Sequence, residues 1–266
     1  MFKRLPFLLI PLFFLSVFSF AFAKQDVPLT ADAAILMDPW TKRILYSKNP
    51  HIKLPLASTA KIMTALVVLK KSYLKRKVVV SRFASSMEPS KVHIKEGEVY
   101  LTEDLLKALL LNSGNDASVA LAEGVAGSEE NFVKMMNRMA RAIGAKNTNF
   151  RNSNGLPAEG QYSTAYDLAL MVREAMKYKD FVDTINIKDA EIEELNAKRR
   201  IKLKNHNKAL WKDGVYLILG KTGYTKKARH CFAGYIQYNR WRKVIVVTLK
   251  GRKMWSDLES LAKERF

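Results

Sequence analysis

Apolar residues form three kinds of run along this chain. From Leu5 to Phe22 they are almost unbroken, behind the cationic Lys3 and Arg4, and the run closes on Ala21-Phe22-Ala23. A basic start, an apolar middle and a small-residue ending predict a secretory signal peptide over residues 1–23, cleaved after Ala23. A retained membrane anchor is the alternative, because the run approaches the roughly 20 residues that cross a bilayer. Either way the working part, residues 24–266, is expected outside the cytoplasm, in the periplasm or cell envelope.

The second kind has the spacing of helices. Ile62, Ala65, Leu66 and Leu69 line one face of a helix predicted from Ser58 to Leu69, bounded by Pro55 and by Lys70-Lys71, which suit a helix C-terminus. Thr102 with Glu103-Asp104 opens another, whose apolar face runs from Leu105 to Leu111 until Asn112-Ser113-Gly114-Asn115 interrupts it; a further helix resumes from Asp116 to Glu123. Helices are also predicted over Ser128–Ile143 and Ser163–Lys179, each behind an N-capping residue, and over Ser256–Arg265. The third kind is strand-like. Ala33–Met37 and Arg43–Tyr46 flank the turn-rich Asp38-Pro39-Trp40-Thr41, and Val215–Leu219, Cys231–Tyr238 and Lys243–Leu249 predict an antiparallel meander near the end.

Composition adds constraints. Cys231 is the only cysteine, so no intrachain disulfide can form and stability must come from packing. The net charge of +20 falls to about +18 without Lys3 and Arg4 and attracts polyanions over about 8 Å at physiological salt. Export removes nucleic acid as the partner, which leaves anionic envelope polymers, a membrane surface, or a merely solvated basic exterior. The four histidines show no zinc spacing, and neither a metal nor a cofactor is expected.

Three short motifs carry the candidate chemistry. In Ser58-Thr59-Ala60-Lys61 a spacing of three puts a hydroxyl and an amine on one face of a helical turn, with Ser58 where backbone N–H groups are free. Lys61 could then serve as base if burial or nearby positive charge kept its amine neutral. Ser113-Gly114-Asn115 offers a second hydroxyl and a side-chain amide at a break between helices. Lys221-Thr222-Gly223 can receive a carboxylate, and the glycine lets an extended peptide lie alongside a strand. Taken singly, these motifs read equally as a helix cap, an ordinary loop and a solvated strand end.

Together and in this order they match the arrangement of penicillin-binding proteins and class A β-lactamases. With Asn154-Gly155-Leu156-Pro157, Ser163–Ala169, Asn205-His206-Asn207 and Tyr224-Thr225, the chain from about Ala33 to its end resembles the serine D-alanyl-D-alanine carboxypeptidases, the low-molecular-mass penicillin-binding proteins. The resemblance implies an α/β (α+β) catalytic domain over 24–266, with a mostly antiparallel sheet and flanking helices beside an all-helical lobe. It makes Ser58 the nucleophile, Lys61 its base and Ser113 a proton relay to the leaving group. Asn115 would hold the substrate's amide, Lys221 and Thr222 its carboxylate, and Gly223 would keep the strand open. The N–H groups of Ser58 and Tyr224 would form the oxyanion hole.

Two features depart from the pattern. The arginine that many members carry at the start of the last helix is absent around Trp255-Ser256-Asp257, leaving Arg252 as a substitute, and Ala228-Arg229-His230 stands where a glycine is common. No Glu-x-x-Leu-Asn segment occurs between Asn115 and Lys221, which argues for slow turnover of β-lactams. The implied substrates are peptidoglycan stem peptides, with β-lactams as inhibitors. Cross-link cleavage and a non-catalytic envelope-binding or β-lactam-sensing role are the alternatives.

Overall fold

In the computed structural model, residues 27–212 and 214–264 are described; the signal peptide assigned to residues 1–23 lies outside them. The chain enters as a hairpin, β1 (Ala33–Met37) and β2 (Ile44–Lys48), then a 3₁₀ turn (Ala57–Ala60) that runs into α1 (Lys61–Lys71). A mainly helical stretch follows: β3 (Lys77–Val79), α2 (Arg82–Ser85), β4 (Val99–Leu101), α3 (Thr102–Leu111), α4 (Asn115–Ala126), α5 (Glu129–Ala142), α6 (Ala165–Ala175) and α7 (Lys179–Ile185). After a hairpin of β5 (Asp189–Glu193) and β6 (Arg200–Lys204) come β7 (Leu217–Thr225), β8 (Arg229–Gln237), β9 (Lys243–Gly251) and α8 (Met254–Lys263).

Both chain ends build one five-stranded antiparallel sheet, in the order β2-β1-β9-β8-β7. Its central strands are buried on both faces, which explains why Ala33–Met37 reads as an unbroken apolar run. Side chains alternate between two cores. Ala33, Ile35, Met37, Ile245 and Val247 pack with the helical lobe, whereas Ala34, Leu36, Val244 and Val246 pack beneath α8 with Leu258 and Leu261. The sheet is therefore a rigid partition, and the helical lobe rests on one side of it.

The helix boundaries follow local chemistry. Ser128 accepts from the N–H of Asn131 to start α5, and Gly127, at φ 77°, ends α4 in the left-handed conformation that glycine adopts without strain. The helix expected over Ser163–Lys179 is α6, shorter at both ends, and α7 starts only where that span closes, at Lys179. Thr164 caps α6, because Ser163 is held in a bridge to Leu54 through bonds of 2.8 and 3.0 Å. The strand expected over Val215–Leu219 starts at Leu217 and continues through Lys221-Thr222-Gly223, so that motif lies within an edge strand. The helical lobe also carries the hairpins β3/β4 and β5/β6, which no periodicity announces. In β5/β6 only Ile192 and Leu203 are buried, and ion pairs from Arg200 to Glu191 and Glu193 cover the outer face.

Close backbone approach fixes β7 against β8. Gly220 pairs with Gly234, and a Cβ on Gly234 would stand 2.0 Å from Leu219 O and 2.6 Å from Gly220 Cα. Neither atom belongs to a movable side chain. Gly234→Ala is expected to cost about 1–3 kcal/mol as overpacking, read as a lowered Tm of about 2–4 °C per kcal/mol in thermal melts. An unchanged Tm would show that the two strands can separate freely.

Candidate active site

Ser58 sits in the 3₁₀ turn ahead of α1, directly beneath β7. Thr59 ties the turn by donating from Oγ1 to Leu56 O, and Ala57 takes a left-handed φ of 47°, a costly conformation for a residue with a Cβ. Gly223 makes the contact with β7 possible. A Cβ there would lie 2.9 Å from the Ser58 nitrogen and 3.2 Å from that of Thr59. Any side chain at 223 would wedge the strand away from the serine.

Lys61 is fully buried on the first turn of α1, and its amine meets three oxygens: Asn115 Oδ1 and Asn154 O at 2.7 Å each, and Ser58 Oγ at 3.1 Å. Burial, and then the charge of Lys221, hold its pKa well below the ordinary lysine range, while Asp116 opposes them weakly. A neutral amine has two hydrogens and one lone pair. The two shortest contacts take the hydrogens, and the lone pair is left facing the Ser58 hydroxyl.

The acceptors are themselves fixed. Asn152 and Asn154 accept from the N–H groups of Gly155 and Leu156 within their own loop, and Ser153 donates to Glu129 while its carbonyl accepts from Thr64. Gly155 is required here on two counts: its φ is 85°, and a Cβ would fall 1.9 Å from Ala57 O. At the α3–α4 break, buried Asp116 accepts from the N–H groups of Val92, Ile94 and Ala117, pinning the junction. Ser113, at φ 61°, turns a buried hydroxyl toward the cavity, and that Oγ has no hydrogen-bond partner. Both ends of the Asn115 amide are already engaged, since its Nδ2 donates to Glu88 O at 2.9 Å. Any amide brought against Asn115 would have to share it with Lys61.

The opposite wall is β7, whose Lys221 is only 2% exposed and is not itself among the residues lining the cavity; burial brings its pKa down to about 7. Thr222, Gly223, Tyr224 and Thr225 continue the wall, with Tyr224 60% exposed and its ring 4.7 Å from His230. Sequence reasoning missed His206 as a cleft residue. It lines the cavity, and burial together with the charges of Lys221 and Lys61 lowers its pKa to about 4, so it is neutral. The signal was the pair of flanking asparagines: Asn205 donates to Ile187 O and Asn207 to Ile218 O, holding the segment between lobe and sheet.

The cavity these groups enclose measures about 280 Å³ and is lined by no carboxylate side chain. Met254 and Trp255 form its end beside His230, whereas Arg252 and Arg229 are not among its lining residues. Cys231 lies in the core behind β7, where burial pushes its thiol up to about 12 and leaves it inert.

A serine beside a buried amine, in a cleft between a helical lobe and the edge of an antiparallel sheet, is the arrangement of the penicillin-binding DD-peptidase class. The chain belongs to the D-alanyl-D-alanine carboxypeptidase family, peptidase S11, whose family model matches residues 20–253. It is 37% identical over 260 residues to the D-alanyl-D-alanine carboxypeptidase DacF of Bacillus subtilis, an alignment covering 92% of this chain and 65% of that relative's length. A D-alanyl-D-alanine endopeptidase of Pseudomonas aeruginosa is 29% identical over 80% of this chain and 69% of its own. Among solved structures, a D-alanyl-D-alanine carboxypeptidase from Mycobacterium tuberculosis superposes with a TM-score of 0.81 at 30% identity, covering 90% of this chain and 92% of that one.

The lowered pKa of Lys221 fixes the sign of a stability change. Between about pH 7 and 10 the unfolded chain holds a proton on this lysine that the folded protein lacks, so stability rises with pH. The slope is expected to reach about 1.4 kcal/mol per pH unit from this one group. Denaturant titrations of the native protein and Lys221→Met across that window should converge as pH rises. Parallel curves would mean that Lys221 keeps its ordinary affinity for protons.

Proposed function

We propose that this chain is a serine DD-peptidase that removes the terminal D-alanine from peptidoglycan stem peptides through an acyl-enzyme on Ser58. The observation that carries the reading is the geometry at Lys61, whose amine stands 2.7 Å from both Asn115 Oδ1 and Asn154 O and 3.1 Å from Ser58 Oγ, so that a neutral amine bonded to the first two turns its lone pair to Ser58. In the first half-reaction Lys61 takes the Ser58 proton as Oγ attacks the carbonyl carbon between the two D-alanines. The N–H groups of Ser58 and Tyr224 receive the oxyanion, and the proton taken by Lys61 passes through Ser113 to the departing amine, leaving Lys61 neutral again. Lys221 and Thr222 hold the terminal carboxylate beside Gly223, and Asn115 orients the stem amide. Water then cleaves the ester, with Lys61 accepting its proton and returning it to Ser58 Oγ as the acyl group leaves.

A β-lactam acylates the same serine, but its leaving group stays attached and no carboxylate lines the cavity to activate water. The adduct therefore persists. We place the catalytic domain at residues 24–266, exported behind residues 1–23, with anionic envelope polymers or a membrane surface as counterparts of its positive charge. A DD-endopeptidase reading, cutting cross-links with the same groups, is favoured by the relative of that name.

Benzylpenicillin is expected to label Ser58 alone, located by peptide mass spectrometry, with no adduct in Ser58→Ala. Lys61→Arg, which cannot accept a proton at working pH, should acylate about 10²–10⁴-fold more slowly while still folding. An adduct on another serine, or hydrolysis within seconds, would overturn the assignment. Incubation with defined pentapeptide monomers and cross-linked dimers separates the two peptidase readings. Release of D-alanine from the monomer is expected, and dimer cleavage without it would favour the endopeptidase.

A further inference from the structure

The strand registers bring three connecting segments to one end of the sheet. Met37 pairs with Ile44 and Ile245, Ile245 with Tyr235, and Tyr235 with Leu219, forming one row across all five strands. Beyond that row project the 38–43 turn, the 238–242 turn and the segment that enters β7. From β1 to β7 the row spans about 15 Å, at roughly 4.8 Å per strand. Among the described residues the most exposed large apolar side chains are Val215 at 87%, Trp241 at 81% and Trp40 at 74%, one on each of these segments.

The two tryptophans are presented in the same way. Asp38 accepts from the N–H groups of Trp40 and Thr41 at 3.0 and 2.7 Å, and Asn239 accepts from those of Trp241 and Arg242 at 2.8 and 2.7 Å. Arg173 also holds the first turn through Pro39 O and Trp40 O. The backbones are thus fixed while the indoles stand in water. Lys42, Arg43 and Arg240 surround them, and Arg240 lies 5.2 Å from the Trp241 ring. Two nearby carboxylates are taken: Asp38 by its own turn and Glu259 by Lys212.

We propose that this end of the sheet docks on an anionic lipid bilayer, with Trp40, Trp241 and Val215 entering the headgroup region and the cations meeting lipid phosphates. Exposed tryptophans with a polar edge suit the membrane–water interface, and cations alone would suit any polyanion, so the rigidly presented indoles select the bilayer. Tyr224, at the far end of β7, lies seven residues from Leu217, or about 23 Å at strand rise. A molecule seated on these turns would hold its cleft mouth well clear of the lipid surface. The inference goes beyond the reaction at Ser58 and is tested without it.

The test uses the full chain and vesicles of phosphatidylcholine with and without phosphatidylglycerol, scored by co-sedimentation and by quenching of tryptophan emission with brominated lipid. Because the apolar run of residues 5–22 can itself insert, every comparison is between variants with the same N-terminus, and thermal melting confirms folding. The native chain should bind phosphatidylglycerol vesicles with quenched emission. W40A/W241A should weaken binding about tenfold or more and remove most of the quenching, and K42E/R240E should weaken it about 25-fold, at roughly fivefold per cation. Y73A/F83A, which removes exposed aromatics of the helical lobe, should bind as the native chain does. Native-like binding by W40A/W241A, absence of native binding, or no dependence on phosphatidylglycerol would each overturn the proposal. So would equal displacement of native and W40A/W241A chains by soluble polyglutamate, which would mark an ionic polymer site.

Discussion

Two lysine amines are buried close enough together that the charge of Lys221 lowers the pKa of Lys61, and neither forms an ion pair among the described residues. Taking a charge out of water without a partner costs several kcal/mol, so the protein avoids charging both. Burial holds both amines below the ordinary lysine range, and the charge of Lys221 lowers Lys61 further. In the proposed reaction this one constraint would divide two chemically identical side chains into a base and a cation. Much of the surrounding architecture serves it: the pinned Asn154 carbonyl, the glycine at 155, the engaged Asn115 and the neutral His206 add acceptors or neutral surface without adding a carboxylate.

Those lysines can stay buried only because the walls do not move independently. The sheet is apolar on both faces, gripped by the helical lobe on one side and by α8 on the other. Asp257 of α8 accepts from both the N–H and Oγ1 of Thr30, which joins the two chain ends behind the sheet. Close glycine contacts then set β7 against β8 and against the serine turn. Precision at Ser58 is inherited from backbone packing more than from any side-chain contact.

Much of this was legible in the sequence, for identifiable reasons. The hairpin of Ala33–Tyr46, the helix behind Ser58, the break at Asn112–Asn115 and the final strands all have strong periodicity or turn chemistry. The pairing of Ser58 with Lys61 follows from helical spacing, and the separate motifs could be united only through the resemblance. Less visible were features that depend on tertiary contact. Ser163 leaves the helix because Leu54 bridges it; β5/β6 has too little apolar surface to show a pattern; His206 becomes a cleft residue because two asparagines suspend it between lobe and sheet. The engagement of Asn115 by Lys61 joins residues 54 positions apart, and no local reading could supply it.

The position of β7 at the end of the sheet has a further consequence. An unpaired strand edge ordinarily invites other chains to add to it, and proteins blunt such edges with charge, bulges or cover. Here the cover is the helical lobe, which stands across the edge at the distance set by Ser58 and Gly223. With the Ser58 nitrogen only 2.9 Å from where a Cβ on Gly223 would stand, no other folded sheet can pair there. The contact that seats the serine turn is then also what protects the strand edge from self-association, and loosening it would sacrifice both together.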